Sequence, residues 1–125
     1  GFEPMEVFRA REILTPETVV IFNRDPIMPV TVSSGGKPYP DVEEILKQVG
    51  GNVKAVYPLS AKEKAGIVAN DKVTNVVMLG ALAATDLLPF TREELIKAVE
   101  VSVPEKAIED NLKAFELGFE SVREQ

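Results

Sequence analysis

Thr18-Val19-Val20-Ile21-Phe22 is an unbroken run of β-branched and aromatic residues. That is the pattern of a strand covered on both faces, as in a layered sheet with helices on either side. Asn23-Arg-Asp-Pro26 breaks it, and Val53-Lys-Ala-Val-Tyr57 offers a second strand closed by Pro58. Between them Asp41 caps a segment whose Val42, Ile45, Leu46 and Val49 follow the i, i+3, i+4, i+7 rule of an amphipathic helix, stopped by Gly50-Gly51. Strand, helix, strand predicts an α/β layer structure.

The flanks extend this pattern. Pro4 suits a helix first turn, and Met5, Val7, Phe8, Ala10 and Leu14 give that helix an apolar side until Thr15-Pro16 ends it. Pro29-Val-Thr-Val-Ser33 reads as a short edge strand with proline at its start, and Ser33 to Pro40 as a loop. Two good strands and one doubtful one leave a narrow open sheet with exposed edges. Further strands are therefore expected from a preceding segment or a partner.

The second half reads as helical. Ser60 opens a short helix to about Ile67, and Asp71 is placed to cap the next. Val73 to Thr85 carries no charge over thirteen residues, far short of the roughly 20 needed to cross a bilayer. A helix apolar on nearly all sides must be surrounded by protein, and Pro89 is expected to end it. Thr91-Arg-Glu-Glu94 has the form of a capping box. Pro104 opens a last helix with Ile108, Leu112, Phe115, Phe119 and Val122 on one face. Beside that face run Ala107, Asn111, Ala114 and Gly118, compact enough to admit another backbone and a candidate neighbour for the uncharged run from Val73 to Thr85.

At 125 residues one domain, 1–125, is the natural expectation. There is no Cys, His or Trp. That removes thiolate chemistry, iron–sulfur ligation and the commonest general base and metal ligand. Fourteen basic residues against twenty acidic give a net charge of −6, and the scattered cations form no positive stripe for nucleic acid. The opening Gly-Phe-Glu-Pro-Met-Glu lacks a basic n-region, an apolar h-region and an initiator Met, as expected of a chain processed, tagged or cut from a longer one.

Few residues carry chemistry. Gly35-Gly36 and Gly50-Gly51 lack the spacing of a dinucleotide turn. Glu43/Glu44, Glu93/Glu94 and Glu109/Asp110 lie in the N-terminal halves of helices, where carboxylates favour the dipole and face water. Ser33, Ser34 and Ser60 have no base to activate them, and Ser60 reads as a cap. Neither a catalytic residue nor a metal site is expected. Asn75, inside the uncharged run, reads as a buried amide that must find partners or a ligand. Asn23 ends the first strand, where open α/β sheets place ligand crevices, with turn formation its plainer role.

Read in order, Phe2-Glu-Pro-Met-Glu-Val-Phe-Arg-Ala10, Val19-Val-Ile-Phe-Asn23, Ile27-Met-Pro-Val-Thr-Val32, Tyr39-Pro-Asp-Val-Glu-Glu-Ile45, Thr74-Asn-Val-Val-Met-Leu-Gly-Ala-Leu82 and Val103-Pro-Glu-Lys-Ala-Ile-Glu-Asp-Asn-Leu-Lys-Ala-Phe-Glu-Leu-Gly118 resemble a known family. The chain is similar to the C-terminal two thirds of the γ-type module of 2-oxoacid:ferredoxin oxidoreductases, and most of all to the indolepyruvate type. The resemblance implies a Rossmann-like open sheet flanked by helices, incomplete at its N-terminus, because the family's opening glycine-rich strand–turn–helix has no counterpart here. It also implies a cytoplasmic, oxygen-sensitive complex that oxidatively decarboxylates a 2-oxoacid to an acyl-CoA and reduces ferredoxin. Thiamine diphosphate and iron–sulfur clusters then belong to other subunits, with CoA used by the complex. This chain would support a thiamine-binding catalytic partner through its uncharged helix and compact stripe, with self-association also open. Asn23, Pro29 and Asn75 are the expected positioning residues. The competing readings are a stand-alone small-molecule or nucleotide-binding α/β domain and a structural oligomerisation domain.

Overall fold

The computed structural model describes residue 1 and residues 3–25 and 41–125; the expected edge strand and loop between Pro29 and Pro40 lie outside them. Within that range the chain forms two compact units, Gly1–Pro58 and Leu59–Gln125. The architecture is α/β, with a helical C-terminal half.

The first unit is built on α1 (Pro4–Arg9), β1 (Val19–Asn23), α2 (Val42–Gly50) and β2 (Ala55–Leu59). β1 and β2 pair as a parallel two-stranded sheet. Lys54 N–H donates to the Thr18 carbonyl at 2.9 Å at its start. Val20 and Phe22 of β1 join Val7, Ile45 and Val49 in one apolar cluster. Each such side chain taken fully from water contributes about 1.5–3 kcal/mol. Asp41 caps α2 as expected, accepting from Glu43 N–H at 2.9 Å.

Two boundaries in this unit differ from expectation. The first helix stops at Arg9 and tightens into a 3₁₀ turn, Arg11–Ile13. Arg11 bonds the Phe8 carbonyl at 2.8 Å and lies over the Phe8 ring, which closes the helix end. β2 runs through Pro58 to Leu59 instead of closing before it. Proline's fixed φ suits extended backbone, and near a strand end it forfeits only one donor.

The second unit contains α3 (Ala61–Val68), α4 (Thr74–Ala83), α5 (Arg92–Ser102) and α6 (Ile108–Arg123). Ser60 caps α3, accepting from Glu63 N–H at 3.2 Å. Thr91 and Glu94 form the full capping box of α5. The helix cap expected at Asp71 falls one residue earlier: Asn70 accepts from Lys72 N–H at 3.0 Å and opens a 3₁₀ turn leading into α4. α4 also ends sooner than Pro89. The Thr85 hydroxyl donates to the Leu82 carbonyl at 2.6 Å, and Asp86 turns the chain with φ 58°.

α4 is the central helix of this unit, packed against α3, α5 and most extensively α6. Val73, just before it, and its own Val77 and Ala81 are essentially inaccessible. Its other apolar side, Val76, Leu79 and Ala83, meets Leu95, Val99, Phe115 and Phe119. The compact stripe of α6 is what allows this. A Cβ at Gly118 would overlap the Val77 carbonyl, and one at Gly80 would overlap the Phe115 carbonyl. The stripe is therefore used inside the chain, not kept for another subunit.

Candidate functional site

Of the three expected positioning residues, Asn23 and Asn75 lie in different units and Pro29 lies outside the described residues. Asn23 is 6% exposed at the end of β1. Its side-chain oxygen accepts from Asp25 N–H at 3.3 Å, and its own N–H donates to the Gly1 carbonyl at 2.9 Å. The side chain thus makes an Asx turn.

Asn75 is exposed, which corrects the expectation of a buried amide. It is the second residue of α4, in the first helical turn, where asparagine is well tolerated because nearby N–H groups lack intrahelical partners. An uncharged sequence does not bury every side of a helix.

The carboxylate pairs also serve structure. Glu43 is exposed and pairs with Arg24 at 2.9 Å, Glu94 completes the capping box, and Asp110 accepts from the Asn70 amide at 3.4 Å. No group of three or more acidic side chains among the described residues could hold a metal ion. With no Cys or His in the sequence, residues 1–125 supply no thiolate or imidazole to an iron–sulfur cluster.

A hollow of about 530 Å³ in the second unit is lined by Asn70, Lys72, Pro104, Lys106, Asp110 and Asn111, among others. Two ammonium groups, one carboxylate and two amides give it mixed polarity. The Asn111 amide spends one donor on the Ala107 carbonyl at 2.8 Å. Such a lining can bind a small polar group.

Sequence reading missed two features. Glu3, 6% exposed, caps α1 through Met5 N–H at 2.9 Å and pairs with Arg9 at 2.8 Å; the six-residue spacing of this pair has no helical periodicity to reveal it. Arg92 pairs with Glu116 and lies over the Phe119 ring, with Arg123 over the same ring. An aromatic beside two cations on converging helices was its only signal.

Comparison with known proteins adds the following. The family model "Pyruvate ferredoxin/flavodoxin oxidoreductase" matches residues 1–121. "Indolepyruvate oxidoreductase subunit IorB" of Pyrococcus horikoshii is 38% identical over 125 residues, covering 99% of this chain and 62% of the relative. The proteins of the same name from Methanothermobacter thermautotrophicus and Archaeoglobus fulgidus are 35% and 32% identical, covering 99% and 95% of this chain and 63% and 59% of theirs. The chain thus spans about three fifths of the length of the curated relatives it matches. No solved structure matches it. No helix among the described residues is long and apolar enough to cross a membrane.

Proposed function

The chain belongs to the pyruvate ferredoxin/flavodoxin oxidoreductase family, and from that premise we propose that it serves as part of a subunit of an indolepyruvate-type 2-oxoacid:ferredoxin oxidoreductase. In this reading the complex works in the cytoplasm, oxidatively decarboxylates a 2-oxoacid, forms the acyl-CoA and passes electrons to ferredoxin. Residues 1–125 act as one module that supports a thiamine-binding catalytic subunit without performing chemistry themselves. The observation that carries the reading is alignment over 99% of this chain with relatives named as indolepyruvate oxidoreductase subunits.

The chemistry of the side chains supports a supporting role. Thiamine diphosphate would supply the carbanion chemistry and iron–sulfur clusters the electron path, but this chain offers neither thiolates nor an acidic cation site among the described residues. Those groups would be held by partner subunits. Asn23, which closes the turn after β1, would position backbone there and not contact substrate. Asn75, exposed on α4, is the residue open to a partner.

Co-expression of the tagged chain with the thiamine-binding subunit tests this reading. The two are expected to co-purify in fixed stoichiometry. Recovery of the chain alone, as a monomer that binds a nucleotide or as a homo-oligomer, would favour one of the competing classes.

A further inference from the structure

Asn111 of α6 is 7% exposed, yet its side chain is only half used. The amide nitrogen donates to the Ala107 carbonyl at 2.8 Å, and no group among the described residues donates to its Oδ1. Buried polar atoms are nearly always matched. This oxygen is not sealed from solvent as Arg92 Nε is, and its side chain lines the hollow of about 530 Å³. The free acceptor therefore opens into that hollow.

The charges around it are equally unmatched. Lys72 and Lys106 make no ion pair among the described residues. Neither does Asp110, whose carboxylate has the Asn70 amide at 3.4 Å. Lys106 lies in the 3₁₀ turn Glu105–Ala107 that runs straight into α6, and no side chain caps either segment. That end is the positive pole of a helix of 16 residues, which favours an anion. The hollow thus offers two ammonium groups and a helix start to negative charge. To positive charge it offers a carboxylate beside a buried carbonyl, and Val103 and Pro104 add apolar surface.

We propose that this hollow binds a free α-amino acid. Lys72 and Lys106 hold its carboxylate, Asn111 Oδ1 and Asp110 its ammonium, and Val103 and Pro104 a small aliphatic side chain. A plain anion would leave Asn111 Oδ1 unmatched and meet a like charge at Asp110. A plain cation would meet two ammonium groups. A ligand carrying both charges satisfies each group. The site lies wholly in the second unit and needs no partner subunit, so its failure is separate from that of the proposed function.

Amide NMR of the isotopically labelled chain, titrated with L-valine, tests this. Saturable shifts are expected at Lys106, Ala107 and the Asn111 side-chain amide, with the millimolar affinity that suits so few ligand atoms. N-acetyl-L-valine lacks the ammonium and L-valinamide the carboxylate; each should bind about tenfold or more weakly. Lys106→Gln, at an exposed position, should weaken L-valine by about threefold or more. Asp110→Asn should weaken L-valine and leave N-acetyl-L-valine no weaker, a split that a purely structural role would not produce. No saturable shift with L-valine, or indifference of its binding to both substitutions, would overturn the assignment. Equal binding of N-acetyl-L-valine or inorganic phosphate would also overturn it and make the hollow a plain anion site.

Discussion

Gly118 of α6 stands so close to Val77 of α4 that a Cβ at position 118 would lie 2.8 Å from the Val77 carbonyl carbon. Gly80 repeats the relationship from the other helix, with the Phe115 carbonyl carbon 2.8 Å from its Cβ position. Two glycines, one on each helix, thus set the distance between the helices that organise the second unit. Backbone lies on the far side of each contact, and backbone cannot rotate away as a side chain can.

Substituting alanine for either glycine is therefore expected to destabilise the chain by about 1–3 kcal/mol or more, since overpacking here forces the helices apart. Gly66→Ala is the counter-case. Gly66 lies within α3 and a Cβ there meets nothing within 4 Å. It should stabilise by about 0.5–1 kcal/mol through helix propensity. Urea denaturation of the three variants checks the sign of each effect; destabilisation of Gly66→Ala equal to the other two would contradict this packing.

Thr91→Ala removes one half of the capping box that starts α5 and should cost about 1 kcal/mol. The Glu94 side chain accepts from Thr91 N–H at 3.0 Å, and Glu94 N–H donates to the Thr91 hydroxyl at 3.1 Å. A double-mutant cycle with Glu94→Ala should show coupling between the two. Strict additivity would mean that the box is not cooperative.

Glu3→Ala should cost about 1–2 kcal/mol because it removes both the cap of α1 and a charged acceptor. Arg9→Ala should cost less than about 1 kcal/mol, since the Arg9 side chain is 60% exposed while that of Glu3 is 8% exposed. Thermal unfolding of the two variants measures the asymmetry. Equal losses would mean that the ion pair, not the cap, dominates.

In a chain that starts at Gly1, burial holds the pKa of its amino group below 8.0, with the Glu6 carboxylate opposing the shift. The unfolded chain therefore binds this proton more readily than the folded chain. Its contribution to stability is present above pH 8.0 and is lost as the pH falls through the depressed folded value. The sequence has no His or Cys to titrate in the same window. Urea midpoints measured from about pH 6 to about 9 should rise with pH, and N-acetylation should flatten that rise. An unchanged slope after acetylation would assign it elsewhere.

Where sequence and structure agree, the signal was local. The caps at Asp41, Ser60 and Thr91 and the strand around Val20 follow from side chains acting on their own backbone. The stripe Ala107, Asn111, Ala114, Gly118 was legible as a close-approach surface, because absence of bulk at helical spacing has one geometric meaning. The uncharged run from Val73 to Thr85 was a legible candidate neighbour, and the structure places it there; a partner subunit stayed open beside it, since intramolecular and intermolecular helices present the same chemistry. The burial expected of Asn75 failed for a related reason: the lack of charge around it measured hydropathy, whereas its exposure depends on which side of α4 meets α3, α5 and α6. Asn23 was legible as a strand end, and its turn bond to Asp25 is the plainer of its two roles.

The most direct measurement is reduction of ferredoxin by the thiamine-binding subunit, supplied with indolepyruvate and CoA, with and without the protein that contains this chain. The proposed function predicts that the protein binds the subunit and that electron transfer to ferredoxin depends on it. A protein that neither binds that subunit nor changes its rate would contradict the account.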